Sequence, residues 1–245
     1  MDMKEKAMSL KGIFNGLLDI LYPRNFTCDI CNREIFNGDN LCDKCRSTVT
    51  VNNGYTCPVC GRKTLSPQLC LECKAQPPVF DCAVSPYVYS GGTQKLISKF
   101  KGGEGYLREY FANAMFAKCG VFTDADAICF VPMTAAAVAD RGFNQSELLA
   151  GLLAEKLNLP LLKNAVKKVK KTSSQKSLSR EERQKNLKSA FKADRNIVEG
   201  KNLILVDDVL TTGATADCVS AELKKRGAKK IYLVTAASVE YRGEI

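Results

Sequence analysis
The chain has 245 residues, 45% of them hydrophobic, enough for one full-sized domain plus a smaller module and too apolar for a disordered protein. A formal charge of +10 comes with no histidine at all, so Ser-His and Cys-His couples are excluded, and Cys and carboxylates remain as the ligands for a tightly held metal. No run of eighteen apolar residues occurs, and the opening MDMKEKAMSLKG puts charges where a signal peptide needs its apolar stretch, so a cytoplasmic protein without integral membrane contact is expected.

Within residues 1–24, Leu10, Ile13, Phe14, Leu17, Leu18 and Leu21 recur at three- and four-residue steps, which predicts an amphipathic helix over Met8–Leu21 that stops before Pro23. Residues 25–78 form a separate module. Eight of its cysteines fall as four C-x-x-C pairs: Cys28 and Cys31, Cys42 and Cys45, Cys57 and Cys60, Cys70 and Cys73. Two intervening residues let a tight turn aim both thiolates at one ion, and two pairs complete a tetrahedron. A reducing compartment disfavours disulfides, so two structural zinc ions in a double zinc ribbon are expected. Sequential and cross-braced pairing use the same eight ligands, and both remain open on spacing. Cys82, Cys119, Cys129 and Cys218 stand alone and read as packing residues.

Residues 79–245 alternate strand-like and helical patterns: a strand over Ala127–Pro132, a helix near Asn144–Leu157, a strand over Asn202–Asp208, a helix over Thr215–Arg226 ended by Gly227, and a strand over Lys229–Ala237. That alternation predicts an α/β domain, a parallel sheet flanked by helices. Between them, Leu161–Lys192 holds eleven Lys/Arg against two Glu, a local charge of +9 while the rest of the chain is near neutral. Its composition suits a mobile hood or a basic surface for single-stranded DNA.

The stretch LILVDDVLTTGAT, Leu203–Thr215, concentrates the chemistry. Its apolar run suits a central strand, and ligands of such sheets bind beyond strand C-termini. Gly213 and its small neighbours let a phosphate approach bare amides at a helix N-terminus, with hydroxyls of Thr211, Thr212 and Thr215 as further donors. Asp207 and Asp208 would repel that phosphate, so they are expected to face ribose hydroxyls or magnesium.

This stretch resembles the 5-phosphoribosyl 1-diphosphate (PRPP) motif of type I phosphoribosyltransferases. With the paired cysteines, LISKFKGG (Leu96–Gly103), RGFNQSELLA (Arg141–Ala150) and the Gln175–Phe191 pattern that includes Arg183 and Asn186, the chain resembles the ComF competence-protein family over nearly its whole length. The resemblance implies a double zinc ribbon joined to a type I phosphoribosyltransferase-like domain. It implies Asp207 and Asp208 on the ribose hydroxyls, residues Thr211, Thr212, Gly213, Ala214 and Thr215 on the 5-phosphate, Arg141 beside the diphosphate, and magnesium bridging the diphosphate. It also implies a link to DNA uptake and to competence-machinery proteins. One departure stands out: MTAAAVAD, Met133–Asp140, occupies the diphosphate-loop position without the basic residues usual there, and the basic stretch is expected to compensate. The competing reading is a DNA-binding scaffold with PRPP as a regulatory ligand. Neither the acceptor nor the oligomeric state is legible in the sequence.

Overall fold
The computed structural model describes residues 27–36, 40–169 and 190–240. The helix expected over Met8–Leu21 and the pattern positions Gln175, Arg183 and Asn186 lie outside the described residues. The chain divides into two compact units, Met1–Thr48 and Val49–Ile245, so the division falls between the second and third C-x-x-C pairs.

The first unit is a cysteine knuckle. Thr27 and Glu34 bridge antiparallel, Cys28 N donates to Arg33 O at 2.7 Å, and Asn32 takes the left-handed conformation, φ 57°, that closes so tight a turn. Helix α1 (Asp43–Arg46) starts directly after Cys42. Asp29 accepts from the Asn40 side-chain amide at 3.1 Å, and Ile35 and Leu41 are buried beside the cysteines.

The second unit repeats that design and then extends it. Thr56 and Lys63 bridge antiparallel, Cys57 N donates to Arg62 O at 2.8 Å, and Gly61 takes φ 65°. Helix α2 (Leu71–Ala75) follows Cys70, whose sulfur caps it by accepting from Cys73 N. A Cβ on Gly61 would stand 2.2 Å from Ala83 O, so only glycine lets this knuckle lie against the sheet.

That sheet is parallel throughout. Strands β1 (Cys82–Val84), β2 (Tyr87–Val88), β3 (Ala127–Phe130), β6 (Asn202–Leu210) and β7 (Lys230–Ser238) order as β1-β7-β6-β3, and β2 pairs with β7 further along in the same register as β1. At the break between β1 and β2 the buried hydroxyls of Ser85 and Thr235 lie 2.6 Å apart, so each satisfies the other. Leu203, Ile204, Leu205 and Val206 are all buried, because helices cover both faces of β6. Helices α4 (Leu107–Cys119) and α6 (Gln145–Leu157) pack on each other and against the sheet; α3 (Gly91–Lys101) packs on α4. Helix α8 (Ala214–Lys225) packs on β7 and on β5 (Phe191–Ala193), which pairs antiparallel with β4 (Val166–Lys168). Leu205, Leu210, Val219 and Leu223 share one core with Cys57, Cys60, Cys70 and Cys73. Two short helices complete the unit, α5 (Ala135–Arg141) and α7 (Arg195–Val198).

The expected parallel sheet flanked by helices is present, with two differences. Within Met133–Asp140 only Met133 and Thr134 are loop: Thr134 Oγ1 accepts from Ala137 N and starts α5 at Ala135, because alanines favour helix. Strand β6 runs past Asp208 to Leu210, since pairing with β7 continues through Val209–Ala237 and Leu210–Ser238.

Candidate functional site
Asp207 and Asp208 follow the buried run of β6 and are both partly exposed. Ser146 Oγ donates to Asp207 Oδ1 at 2.9 Å, and the Asp208 amide donates to the same oxygen at 2.9 Å. Asp208 Oδ2 pairs with Lys101 Nζ at 2.8 Å. Desolvation, and after it the Asp208 charge, push Asp207 up to about 7; the Asp208 amide, Ser146 and Lys101 oppose that rise without cancelling it. Asp207 Oδ2 accepts no hydrogen bond among the described residues, which leaves it open to a hydroxyl or a hard cation.

Thr211 and Thr212 come next, and Gly213 turns the chain at φ 83° into the N-terminus of α8. Ala214 and Thr215 are its first residues, and Thr212 Oγ1 accepts from Ala214 N at 3.4 Å. A cleft of about 260 Å³ lies here, lined by Asp207, Leu210, Thr211, Gly213, Thr215 and Thr235. The start of a twelve-residue helix gives the cleft the positive end that an anion needs.

The RGFNQSELLA segment contributes through its scaffold. Asn144 Oδ1 caps α6 by accepting from Ser146 N at 3.1 Å, while Asn144 Nδ2 donates to Val131 O at 3.1 Å. The helix start is thereby tied to the end of β3, which fixes Ser146 beneath Asp207. Arg141 is exposed and donates to Gln145 Oε1 at 2.9 Å and to Met133 Sδ at 3.9 Å; none of its described bonds reaches loop 211–215.

Four contributing side chains escaped sequence reasoning. Lys101 sits inside LISKFKGG, and Ser146 inside RGFNQSELLA, so motif membership was the available signal. Lys168, on β4, lies half-buried with its Nζ 5.7 Å from the Phe191 ring centroid; desolvation lowers its pKa, and the Asp207 charge works against that. Arg62, beside Cys60, donates to the Thr211 carbonyl and to the Glu72 carboxylate, and nothing in the sequence signals it.

The eight paired cysteines form two groups in sequential order, Cys28, Cys31, Cys42 and Cys45, then Cys57, Cys60, Cys70 and Cys73; in each, the four sulfurs lie within 4.8 Å of one another. A Zn–S distance of ~2.3 Å sets tetrahedral sulfurs about 3.8 Å apart. Cys31 and Cys42 stand at 3.9 Å and Cys60 and Cys70 at 3.7 Å, so the donor sets fit that ion. Burial opposes ionisation in each group, yet backbone amides hold Cys28 at about 6 and Cys57 at about 7. Their partners Cys45 and Cys73 are pushed up to about 12 by burial and the neighbouring thiols, and the lone Cys119 and Cys129 reach about 12 by burial alone.

A double zinc ribbon domain matches residues 17–74 and a phosphoribosyl transferase domain matches residues 140–243. Competence protein F of Haemophilus influenzae is 31% identical over 222 residues, covering 84% of this chain and 94% of that protein. The chain belongs to the ComF competence-protein family. Competence protein ComFC of Bacillus subtilis is 29% identical over 231 residues, covering 88% of this chain and 92% of that relative. DNA utilization protein YhgH of Escherichia coli is 30% identical over 216 residues, covering 78% of this chain and 93% of YhgH. Among solved structures, the glutamine PRPP amidotransferase of B. subtilis is 23% identical with a TM-score of 0.37, covering 51% of this chain and 25% of that one. Among the described residues of this ComF-family chain, no helix is long and apolar enough to cross a membrane.

Proposed function
We propose that this ComF-family protein is a cytoplasmic phosphoribosyltransferase that binds PRPP with magnesium, transfers phosphoribose to a nitrogen acceptor and serves DNA uptake. The observation that carries the reading is the junction of β6 and α8: two adjacent carboxylates, of which Asp207 lines the same cleft as the glycine-turned loop that opens a helix N-terminus. Loop amides and threonine hydroxyls take the 5-phosphate, and Asp207 and Asp208 take the ribose diol. Magnesium supplies charge neutralisation for the diphosphate when bound, and the carboxylate donor set suits it.

Loss of diphosphate from ribose C1 leaves an oxocarbenium-like centre, which needs no protein nucleophile and no histidine. The carboxylates beneath the ring stabilise that charge, and Ser146 holds Asp207 in place for it. Lys101 and Lys168 supply positive charge that α5 lacks before Arg141. Two structural zinc ions occupy the cysteine groups. Saturable, magnesium-dependent PRPP binding is expected by calorimetry, abolished in the Asp207→Asn/Asp208→Asn double variant; undiminished binding there would overturn the reading.

A second reading has its own observation, the +9 charge of Leu161–Lys192. It makes the protein a single-stranded DNA binder with PRPP as regulator. Such binding weakens steeply with salt, and absence of DNA affinity at low ionic strength eliminates it.

A further inference from the structure
Arg62 is 3% exposed, and a buried guanidinium is costly unless it is engaged; both of its terminal amino groups are bonded, while Nε has no hydrogen-bond partner among the described residues. One arm donates to Glu72 and the other to the Thr211 carbonyl, 149 residues away in the phosphate loop. Both anchors of the Arg62–Glu72 pair belong to metal-ligand segments. Arg62 lies in the hairpin of Cys57 and Cys60, its carbonyl bonded by Cys57 N, and Glu72 lies in α2 between Cys70 and Cys73. The hairpin itself is fixed to the sheet: Ala83 N donates to Val59 O at 2.8 Å, and Asn52 Nδ2 donates to Gly61 O at 2.9 Å.

The phosphate loop is less restrained. A cleft of about 250 Å³ separates it from the cysteine segment, bounded by Arg62, Glu72, Gln76, Thr212, Gly213 and Asp217. Among the described residues, no other side chain from outside the loop bonds to the main chain of residues 211–213. Arg62 therefore spans a gap that packing does not close.

We propose that Arg62 is a positioning residue through which the second cysteine group, when it holds metal, orders the phosphate loop. The inference rests on the PRPP reading above. With the knuckle ordered, the guanidinium fixes the Thr211 carbonyl and so aims the following amides at the phosphate. With metal lost, the hairpin stays on the sheet but the Glu72 segment is no longer tied to it through a shared ion, so the guanidinium loses that anchor and the loop loses its restraint. Coupling between two sites is reciprocal, so PRPP must strengthen metal binding at this group by the same factor.

The first ribbon provides an internal control. Arg33 stands at the equivalent place in its hairpin, its carbonyl bonded by Cys28 N, and it is exposed. In the full-length, zinc-loaded protein, Arg62→Met is expected to weaken magnesium–PRPP binding about tenfold by calorimetry, as loss of a charged hydrogen bond does, while Arg33→Met leaves it unchanged. Competition with a zinc-selective chromogenic chelator should show saturating PRPP raising the affinity of one zinc and not the other in the parent protein, and of neither in Arg62→Met. Parent-like PRPP affinity in Arg62→Met, or PRPP that binds yet protects both zincs equally or neither, overturns the coupling and leaves the PRPP reading standing. If Arg62→Met retains fewer than two zincs, the chelator competition on the parent protein decides alone. A parent that binds no PRPP overturns both the PRPP reading and the coupling.

Discussion
Two carboxylates placed side by side repel each other, and the chain accepts that cost at Asp207. Its folded value near 7 lies above the ordinary 3.8 because its carboxyl is desolvated and Asp208 is charged beside it. A raised folded value stabilises the protein fully below about 3.8, and that stability is lost as pH rises through about 7. Asp207→Asn removes the penalty. Its thermal midpoint should exceed that of the parent by a margin that grows from pH 4 to pH 7 and is level above. A constant margin would show that Asp207 titrates normally. Magnesium–PRPP affinity of the parent should rise across the same upper range, since the ionised carboxylate accepts more strongly from the ribose hydroxyls than the neutral acid does and carries the charge that stabilises the developing cation. The sequence showed these two acids but not their pairing with Ser146 and Lys101, because contacts 61 residues and more apart arise only when β3, β6 and their helices assemble.

At the scale of elements, the strand–loop–helix of β6 and α8 was legible because each part carries its own signal: a four-residue apolar run, a glycine at φ 83°, and a helical pattern ended at Gly227, itself at φ 94°. What stayed hidden has physical reasons. Helix α3 opens on Gly91 and Gly92, which read as a loop, although Leu96, Ile97 and Phe100 bury its inner face. Helix α4 carries apolar residues around much of its circumference and so shows little periodicity. Helix α5 stands where the family order places the diphosphate loop, yet its alanines and the Thr134 cap form a helix. Gly213→Ala tests the loop geometry. An added Cβ meets only ordinary contacts, Leu210 Cδ1 at 3.7 Å and Asp217 Oδ2 at 4.0 Å, so the cost is backbone strain at positive φ. Chemical denaturation should register a loss of ~1–2 kcal/mol. PRPP affinity should fall as well, because relieving the strain turns the amides of Ala214 and Thr215 away. Lost stability with unchanged affinity would place the phosphate elsewhere.

Across the whole molecule the two ribbons share a knuckle but not a setting. Each begins with a bridged hairpin and a left-handed residue four positions after its first cysteine, Asn32 in one and Gly61 in the other. In the unit Met1–Thr48 the group includes an exposed thiol, Cys31, whereas in the unit Val49–Ile245 all four cysteines are buried. The latter share a core with Leu205, Val219 and Leu233, so their four sulfurs are continuous with the sheet's own packing. Structural zinc binding is folding free energy wherever the site forms only in the folded state. Its loss should therefore propagate differently from the two groups. Cys31→Ser should release one zinc and leave the main thermal transition within about 2 °C of the parent, as a change outside the larger unit requires. Cys60→Ser should release the other zinc and lower that transition by ~10 °C or more, because a loss of several kcal/mol in a unit of this size shifts the midpoint by about 2–4 °C per kcal/mol. Circular dichroism melts with metal analysis by atomic absorption distinguish the cases. Equal shifts from the two substitutions would mean that the sheet core stands without the metal of the second cysteine group.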